Sequence, residues 1–293
     1  PGEIATLGKD FDAVVATAFN SVDWLMPLAT SSQVVLGYYV QDFEPLFFPP
    51  GSHNHEQAMR SYTQIPGMRV FTKTAWNCDE VLRQTGVVAE IVGPSYDCDL
   101  FRPRLSPAVD ENRPVKVVAM VRPSTSRRNP EGTIMLLARL QQRFGERIEI
   151  VIFGAEEGEG IPLPNGIDAP RLINHGLVRP GQMANLLSTT DLFIDMSHFQ
   201  AMGLTAMEAM ACGAVVIVPR AGGSASFAED EVNALLIDTT QIDEAVAAAA
   251  RLIEDVEKRR ALQLQGMNDI ARFFPEKSAS AILQCLLPQR SLS

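Results

Sequence analysis

Short β-branched apolar runs closed by turn residues alternate with helical stretches along the chain, and this leaves few architectures open. Strands joined through helices pair in parallel, and parallel sheets are covered on both faces. Asp12 to Phe19 (DAVVATAF) reads as a buried strand, Val22 to Ala29 as a short helix and Val34 to Val40 (VVLGYYV) as the next strand. The long loop QDFEPLFFPPGSHNHE leads into a helix through Tyr62, and long loops of this kind often carry function. Arg69 to Thr72, a helix around Asn77 to Thr85, and Ala89 to Val92 follow. A Pro-rich stretch, GPSYDCDLFRPRLSPAVDENRP, then interrupts the periodicity as a linker would.

A second α/β unit starts at Val115. Its expected strands are Val115 to Val121, Ile148 to Phe153, Leu172 to Asn174, Leu192 to Asp195 and Val215 to Val218. Helices are expected near Pro130 to Phe144, Gly181 to Ser188 and Leu204 to Cys212, with one or two more over Ile242 to Asn268. A length of 293 residues favours two lobes. The division expected is a lobe over 1–103, a linker over 104–114, a second lobe over 115–270 and a terminal helix over 271–293.

With 46% hydrophobic and 20% charged residues, wholesale disorder is excluded. The formal charge of −10 gives no whole-protein attraction to nucleic acid or anionic lipid, so any anion site must be local. Four scattered cysteines without a CxxC pair fit neither a zinc site nor a disulfide framework, which favours a reducing cytoplasm. No apolar run approaches the roughly 18 residues of a membrane span, and the first residues lack a signal pattern, so a soluble chain is expected. The chain opens on Pro1 rather than Met, as a piece of a longer protein would.

Three places invite chemistry. After Val121 the sequence RPSTSRRNPEG sets Arg122, Arg127 and Arg128 at a helix entrance, with Asn129 as cap and Pro130 in the first helical position. Guanidinium groups, backbone amides and the helix dipole there suit a diphosphate, although a solvated charged loop reads equally well from the run alone. In SHFQAMGLTAMEAMACGAVVIV, Gly203 permits close backbone approach at a helix mouth, and Glu208 one to two turns on suits vicinal ribose hydroxyls. By periodicity alone Glu208 reads as an ordinary helix-surface residue. Gly222-Gly223 stands after a strand end, where amides face ligands or simply turn the chain.

Other signals fail. No GxGxxG follows a strand and no GxxxxGK[ST] occurs. Asp97-Cys98-Asp99 is a DxD triplet, but it lies in the linker; His53, His55 and Glu56 lack a third fixed ligand. No metal is expected. His198, two residues before Gln200, stands at the suspected ligand mouth.

Taken together these residues resemble retaining glycosyltransferase family 4, the group 1 glycosyl transferases. In that family's S-x-x-E-G-F-G-L-P-x-x-E-A-M-A-C-G stretch, Ser197, Gly203, Leu204, Glu208, Ala209, Met210, Ala211, Cys212 and Gly213 match in register. EDEVNALLID, FTKTAWNCDEVL, the Asp97 to Pro103 stretch and the terminal FFPEKSASAIL are similar to further family segments. VQDFEPLFFPPGS with RPSTSRRN looks like a bacterial subgroup that includes rhamnosyltransferases of surface-glycan assembly. The resemblance departs at Gln200, which replaces the first Glu of the family's pair, and at Ser226, which replaces a Glu after the paired glycines. The first lobe also lacks the glycine-rich loop and His of an earlier half, so it is expected to be incomplete at its N-terminus.

The resemblance implies a GT-B fold of two Rossmann-like lobes and a metal-independent, retaining transfer from a nucleotide diphosphate sugar to a glycan or lipid-linked acceptor. It gives Arg122, Arg127, His198 and Gln200 to the chemistry, and Arg128, Gly203, Leu204, Glu208, Gly222 and Gly223 to the donor. Asp42, Glu44, Gly51, Ser52 and His53 become acceptor candidates. No cofactor beyond the donor substrate is implied, and no nucleic-acid partner. A lipid-borne acceptor would bring such an enzyme to the inner face of the membrane without a spanning helix. The alternative is a non-catalytic nucleotide-sugar binding or assembly module, motivated by Gln200, Ser226 and the short first lobe. A GT-B epimerase would need a buried carboxylate pair that the sequence does not identify.

Overall fold

The computed structural model describes residues 2–30, 34–103, 113–156, 158–163, 166 and 168–287. Most of the expected linker, residues 104–112, lies outside them. Two compact units share the chain, Pro1–Ser95 with Pro275–Ser293, and Tyr96–Phe274.

The first unit holds a four-stranded parallel sheet in the order β1-β2-β3-β4, formed by Ala13–Ala16, Val35–Val40, Arg69–Thr72 and Glu90–Ile91. Its helices are α1 (Gly2–Leu7), α2 (Phe19–Val22), α3 (His53–Ser61) and α4 (Ala75–Thr85). Ser52 and Thr74 cap α3 and α4 by accepting from the amides of His55 and Asn77. The first strand is shorter than DAVVATAF suggests, because α2 already starts at Phe19. The expected helix from Val22 is a 3-10 stretch, Asp23–Leu28, in which Pro27 cannot donate the backbone bond that an α-helix requires.

The second unit holds a six-stranded parallel sheet. Its strands are β5 (Val115–Met120), β6 (Ile148–Phe153), β7 (Ile173–Asn174), β8 (Leu192–Ile194), β9 (Val215–Pro219) and β10 (Leu235–Ile237). They run in the order β10-β9-β8-β5-β6-β7. Helices α5 (Pro130–Phe144), α6 (Pro180–Leu187), α7 (Leu204–Cys212), α8 (Ile242–Glu254) and α9 (Val256–Ile270) cover it. Strand side chains alternate between two cores: Val117, Ala119, Ile150 and Ile194 pack with α5 and α8, whereas Val118, Val151, Phe193 and Val216 pack with α6 and α7. Burial on both faces is why these strands read as continuous apolar runs. Of these six strands, β10 is the one not expected from the sequence.

The last helix, α10 (Pro275–Leu286), returns to the first unit. There Cys285 and Leu286 close a small core with Phe71 and Val92. A Cβ on Gly37 would stand 2.8 Å from a Leu286 methyl, so the small residue in β2 is what lets α10 lie close to the strand.

Candidate functional site at the carboxyl edge of the second sheet

Numbered within the second unit, the strand order is 3-2-1-4-5-6, and its direction of winding reverses between β5 and β8. The crossover after β5 runs through α5 on one face and the crossover after β8 runs through α7 on the other. A crevice at the carboxyl ends follows from that divergence.

The loop after β5 is a series of tight turns. Thr125 N donates to Arg122 O at 3.0 Å, Ser126–Arg128 form one 3-10 turn, and Asn129 adopts a left-handed conformation at φ 50°. Asparagine tolerates that region better than most L-residues. Its Oδ1 accepts from Gly132 N at 3.1 Å, capping the 15-residue α5. Arg122 is exposed, while Arg127 and Arg128 are half-buried. The Arg127 guanidinium lies 5.9 Å over the Phe199 ring, a cation–π distance.

The loop after β8 is sewn to this one. His198 N donates to Arg127 O at 2.9 Å, Thr239 Oγ1 donates to Ser197 O at 3.1 Å, and Asn129 Nδ2 donates to Thr239 O at 3.4 Å. The loops after β5, β8 and β10 thus form a closed ring of contacts, with the His198 ring exposed at its rim.

Gln200 is 5% exposed, and its amide nitrogen donates inward, to Asp195 Oδ2 at 2.8 Å and Ser197 Oγ at 3.0 Å. Its backbone pairs with Gly222, and its carbonyl accepts from Gly223 N at 2.6 Å. Gly222 has φ 106°, and a Cβ there would fall 2.2 Å from the Gln200 carbonyl oxygen. The paired glycines therefore serve a close approach of two backbones at this edge.

Gly203, left-handed at φ 88°, is the N-cap of α7, and its carbonyl accepts from Ala206 and Met207. Beside it, the Ser224 hydroxyl is buried without a hydrogen-bond partner among the described residues. Orphaned buried hydroxyls are uncommon, and the sequence alone did not mark this one. Leu204 is exposed at the start of α7 and Glu208 is half-buried on it. Burial, and then the charge of Asp97, push the Glu208 carboxyl up to about 7. The sequence reading placed Asp97 in a linker; the structure sets it in the second unit against α7, a neighbourhood that spacing along the chain does not reveal.

The acceptor candidates lie in the first unit and carry structural duties there. Glu44 Oε2 accepts from Phe19 N at 2.6 Å and from the Tyr38 hydroxyl at 2.8 Å, fastening α2 to β2. Burial, helped by the Asp42 charge, holds the Glu44 carboxyl above its ordinary value, and those two bonds offset only part of the rise. Ser52 is the α3 cap, His53 is the first residue of α3, and Gly51 turns at φ 78° into open space. Asp42 Oδ1 accepts from Phe43 N at 2.9 Å. Its charge also holds up the Lys73 ammonium, which burial lowers more strongly and which lies 5.4 Å from the Tyr39 ring. Among the described residues no three His, Cys, Asp or Glu side chains are placed to hold a metal ion, and no helix is long and apolar enough to cross a membrane.

Comparison with known proteins adds to this geometry. Residues 101–268 match the family described as "Glycosyl transferases group 1". The chain is 28% identical over 208 residues to the D-inositol 3-phosphate glycosyltransferase of Segniliparus rotundus, a match covering 66% of this chain and 45% of that protein. It is 27% identical over 220 residues to the O-antigen biosynthesis protein RfbC of Myxococcus xanthus, covering 74% of this chain and 16% of that protein. The chain thus spans about half the length of the first of these relatives and far less of the second. Among solved structures, Anabaena Alr3699/HepE in complex with UDP and glucose superposes with a TM-score of 0.76 at 17% identity, over 97% of this chain and 78% of that one. Sucrose-phosphate synthase from Thermosynechococcus elongatus gives 0.77 at 17% identity, over 97% and 74%. The fold is the GT-B type, with parallel α/β sheets in two lobes.

Proposed function

The chain belongs to the glycosyl transferases group 1 family, and on that premise we propose that it transfers a sugar from a nucleotide diphosphate sugar held by the second unit. The observation that carries this reading is the tie between the arginine loop and the loop leading to α7, made at the switch point where an open parallel sheet receives ligands. Arg122, Arg127 and Arg128 with the entrance of α5 receive the diphosphate; the α7 mouth at Gly203-Leu204 and the His198 ring line the same edge. Glu208 accepts from the ribose hydroxyls.

The chemistry asks little of the side chains. Negative charge grows on the leaving diphosphate as the anomeric bond breaks, and preorganised guanidinium groups stabilise it more in the transition state than in the ground state. In this reading arginine does the work of a divalent metal. Transfer proceeds with retention, the departing phosphate oxygen taking the acceptor's proton on the face it leaves. The relatives support two acceptor classes: a phosphorylated inositol, from the name of the Segniliparus protein, and a surface glycan or lipid-linked saccharide, from that of RfbC. We favour the second, which puts the reaction at the inner face of a membrane. The complexes of Alr3699/HepE with UDP-glucose support a uridine donor.

The inward commitment of Gln200 favours a second reading, a nucleotide-sugar binding module without turnover. A thermal-shift screen of UDP-, GDP- and dTDP-sugars, with and without magnesium, tests both. A donor should raise the melting temperature by mass action without metal. Shifts confined to magnesium-containing samples would overturn the arginine-based mechanism. Binding without hydrolysis or transfer would favour the module, and the anomeric configuration of any product, read by NMR, decides retention.

A further inference from the structure

Phe199 follows the exposed His198 in the loop after β8 and is itself half-buried, yet it belongs to neither of the two apolar cores described for the second unit. Core packing therefore does not account for an aromatic side chain at this place. The ring meets a cation instead: the Arg127 guanidinium stands over its face, 5.9 Å from the centroid.

The backbone on both sides of the ring is pinned. His198 N donates to Arg127 O at 2.9 Å, so the two loops are joined here by main chain as well as by side chain. Before the ring, Ser197 N donates to Asp195 Oδ1 at 2.9 Å and Ser197 O accepts from Thr239 Oγ1 at 3.1 Å. After it, the Gln200 side-chain amide is committed to Asp195 and Ser197, and the Gln200 carbonyl accepts from Gly223 N at 2.6 Å. With Ser197 and Gln200 both held, Phe199 has little freedom to leave the guanidinium.

We propose that Phe199 is a positioning residue for the donor's diphosphate, acting through Arg127. This rests on the reading of Arg127 as a diphosphate ligand. An aromatic face attracts a guanidinium through its quadrupole, and it neither takes up N–H groups nor cancels the charge. A carboxylate in the same place would do both, leaving less for phosphate oxygens. A long side chain held in this way loses less rotamer freedom when the donor arrives. The same preorganisation serves the transition state, in which charge grows on the leaving diphosphate.

Calorimetric titration of the whole chain with UDP-glucose and GDP-mannose tests this, beside nitrogen-15 NMR of the arginine side chains without ligand. Phe199→Leu keeps an apolar side chain and removes the ring. It should weaken binding about three- to tenfold, move the Arg127 Nε–H signal by loss of the ring current and lower its order parameter. Phe199→Tyr keeps the aromatic face and should return affinity and order parameter to within about twofold of wild type. Arg127→Ala should weaken binding about tenfold or more. In the Arg127→Ala chain, Phe199→Leu should change affinity no further, because the ring then has no cation to hold.

If Arg127→Ala weakens binding but Phe199→Leu leaves both the affinity and the Arg127 signal in place, the inference falls and the function stands. The same follows if the two substitutions weaken binding additively, since the ring would then act elsewhere than through Arg127. If Arg127→Ala leaves binding of both probes intact, or the chain binds neither, the diphosphate reading falls and takes the inference with it.

Discussion

At Gln200 the chain departs from the family pattern, and the partner across from it supplies a reason. The buried Asp195 accepts from the Gln200 amide at 2.8 Å, so a glutamate at 200 would set two carboxylates against each other out of water. Gln200→Glu should destabilise the chain by about 2 kcal/mol or more at pH 8. Stability should return as the medium is acidified or when Asp195→Asn is added, both read by urea denaturation. Glu208 makes the complementary case, because the folded chain holds its proton more tightly than the unfolded one. From the ordinary carboxylate value up to about 7 the folded state therefore binds more protons, and stability falls as pH rises through that window. Glu208→Gln should melt with the wild type near pH 4 and above it past pH 7, by roughly 1–3 kcal/mol in the ligand-free protein. A carboxylate that costs stability where it is ionised fits the binding role proposed for Glu208.

At the scale of elements, the site depends on how loops are tied at one sheet edge. Asn129 joins two of those ties, since it caps α5 through Oδ1 and reaches Thr239 O through Nδ2. Asn129→Ala should cost about 1–2 kcal/mol, from the lost cap and the left-handed backbone, and should weaken UDP-glucose binding. Asn129→Asp keeps the capping oxygen and loses the donor, so it should retain most of the stability; chemical denaturation beside a UDP-glucose titration separates the two duties. The cap and the proline at the first helical position were legible in the sequence because capping is local. The ring through His198, Arg127, Ser197 and Thr239 was not, since its members lie far apart along the chain.

At the scale of the molecule, α10 follows the second unit in sequence but packs in the first, with Leu286 against β2 and β3. Leu286→Ala should remove about 2–3 kcal/mol and raise hydrogen exchange across β2, β3 and α10 while β5 to β10 keep their protection. Strand and helix alternation, the limits of α5 and α7 and the stretch from Ser197 to Gly213 were already determined by the sequence, because periodicity and caps act over a few residues. The strand order, the placing of Asp97 against Glu208 and the pairing of Gln200 with Asp195 were decided by tertiary structure alone. A carboxyl's proton affinity and a side chain's orientation depend on which charges and surfaces stand across from it, and only the folded chain brings those together.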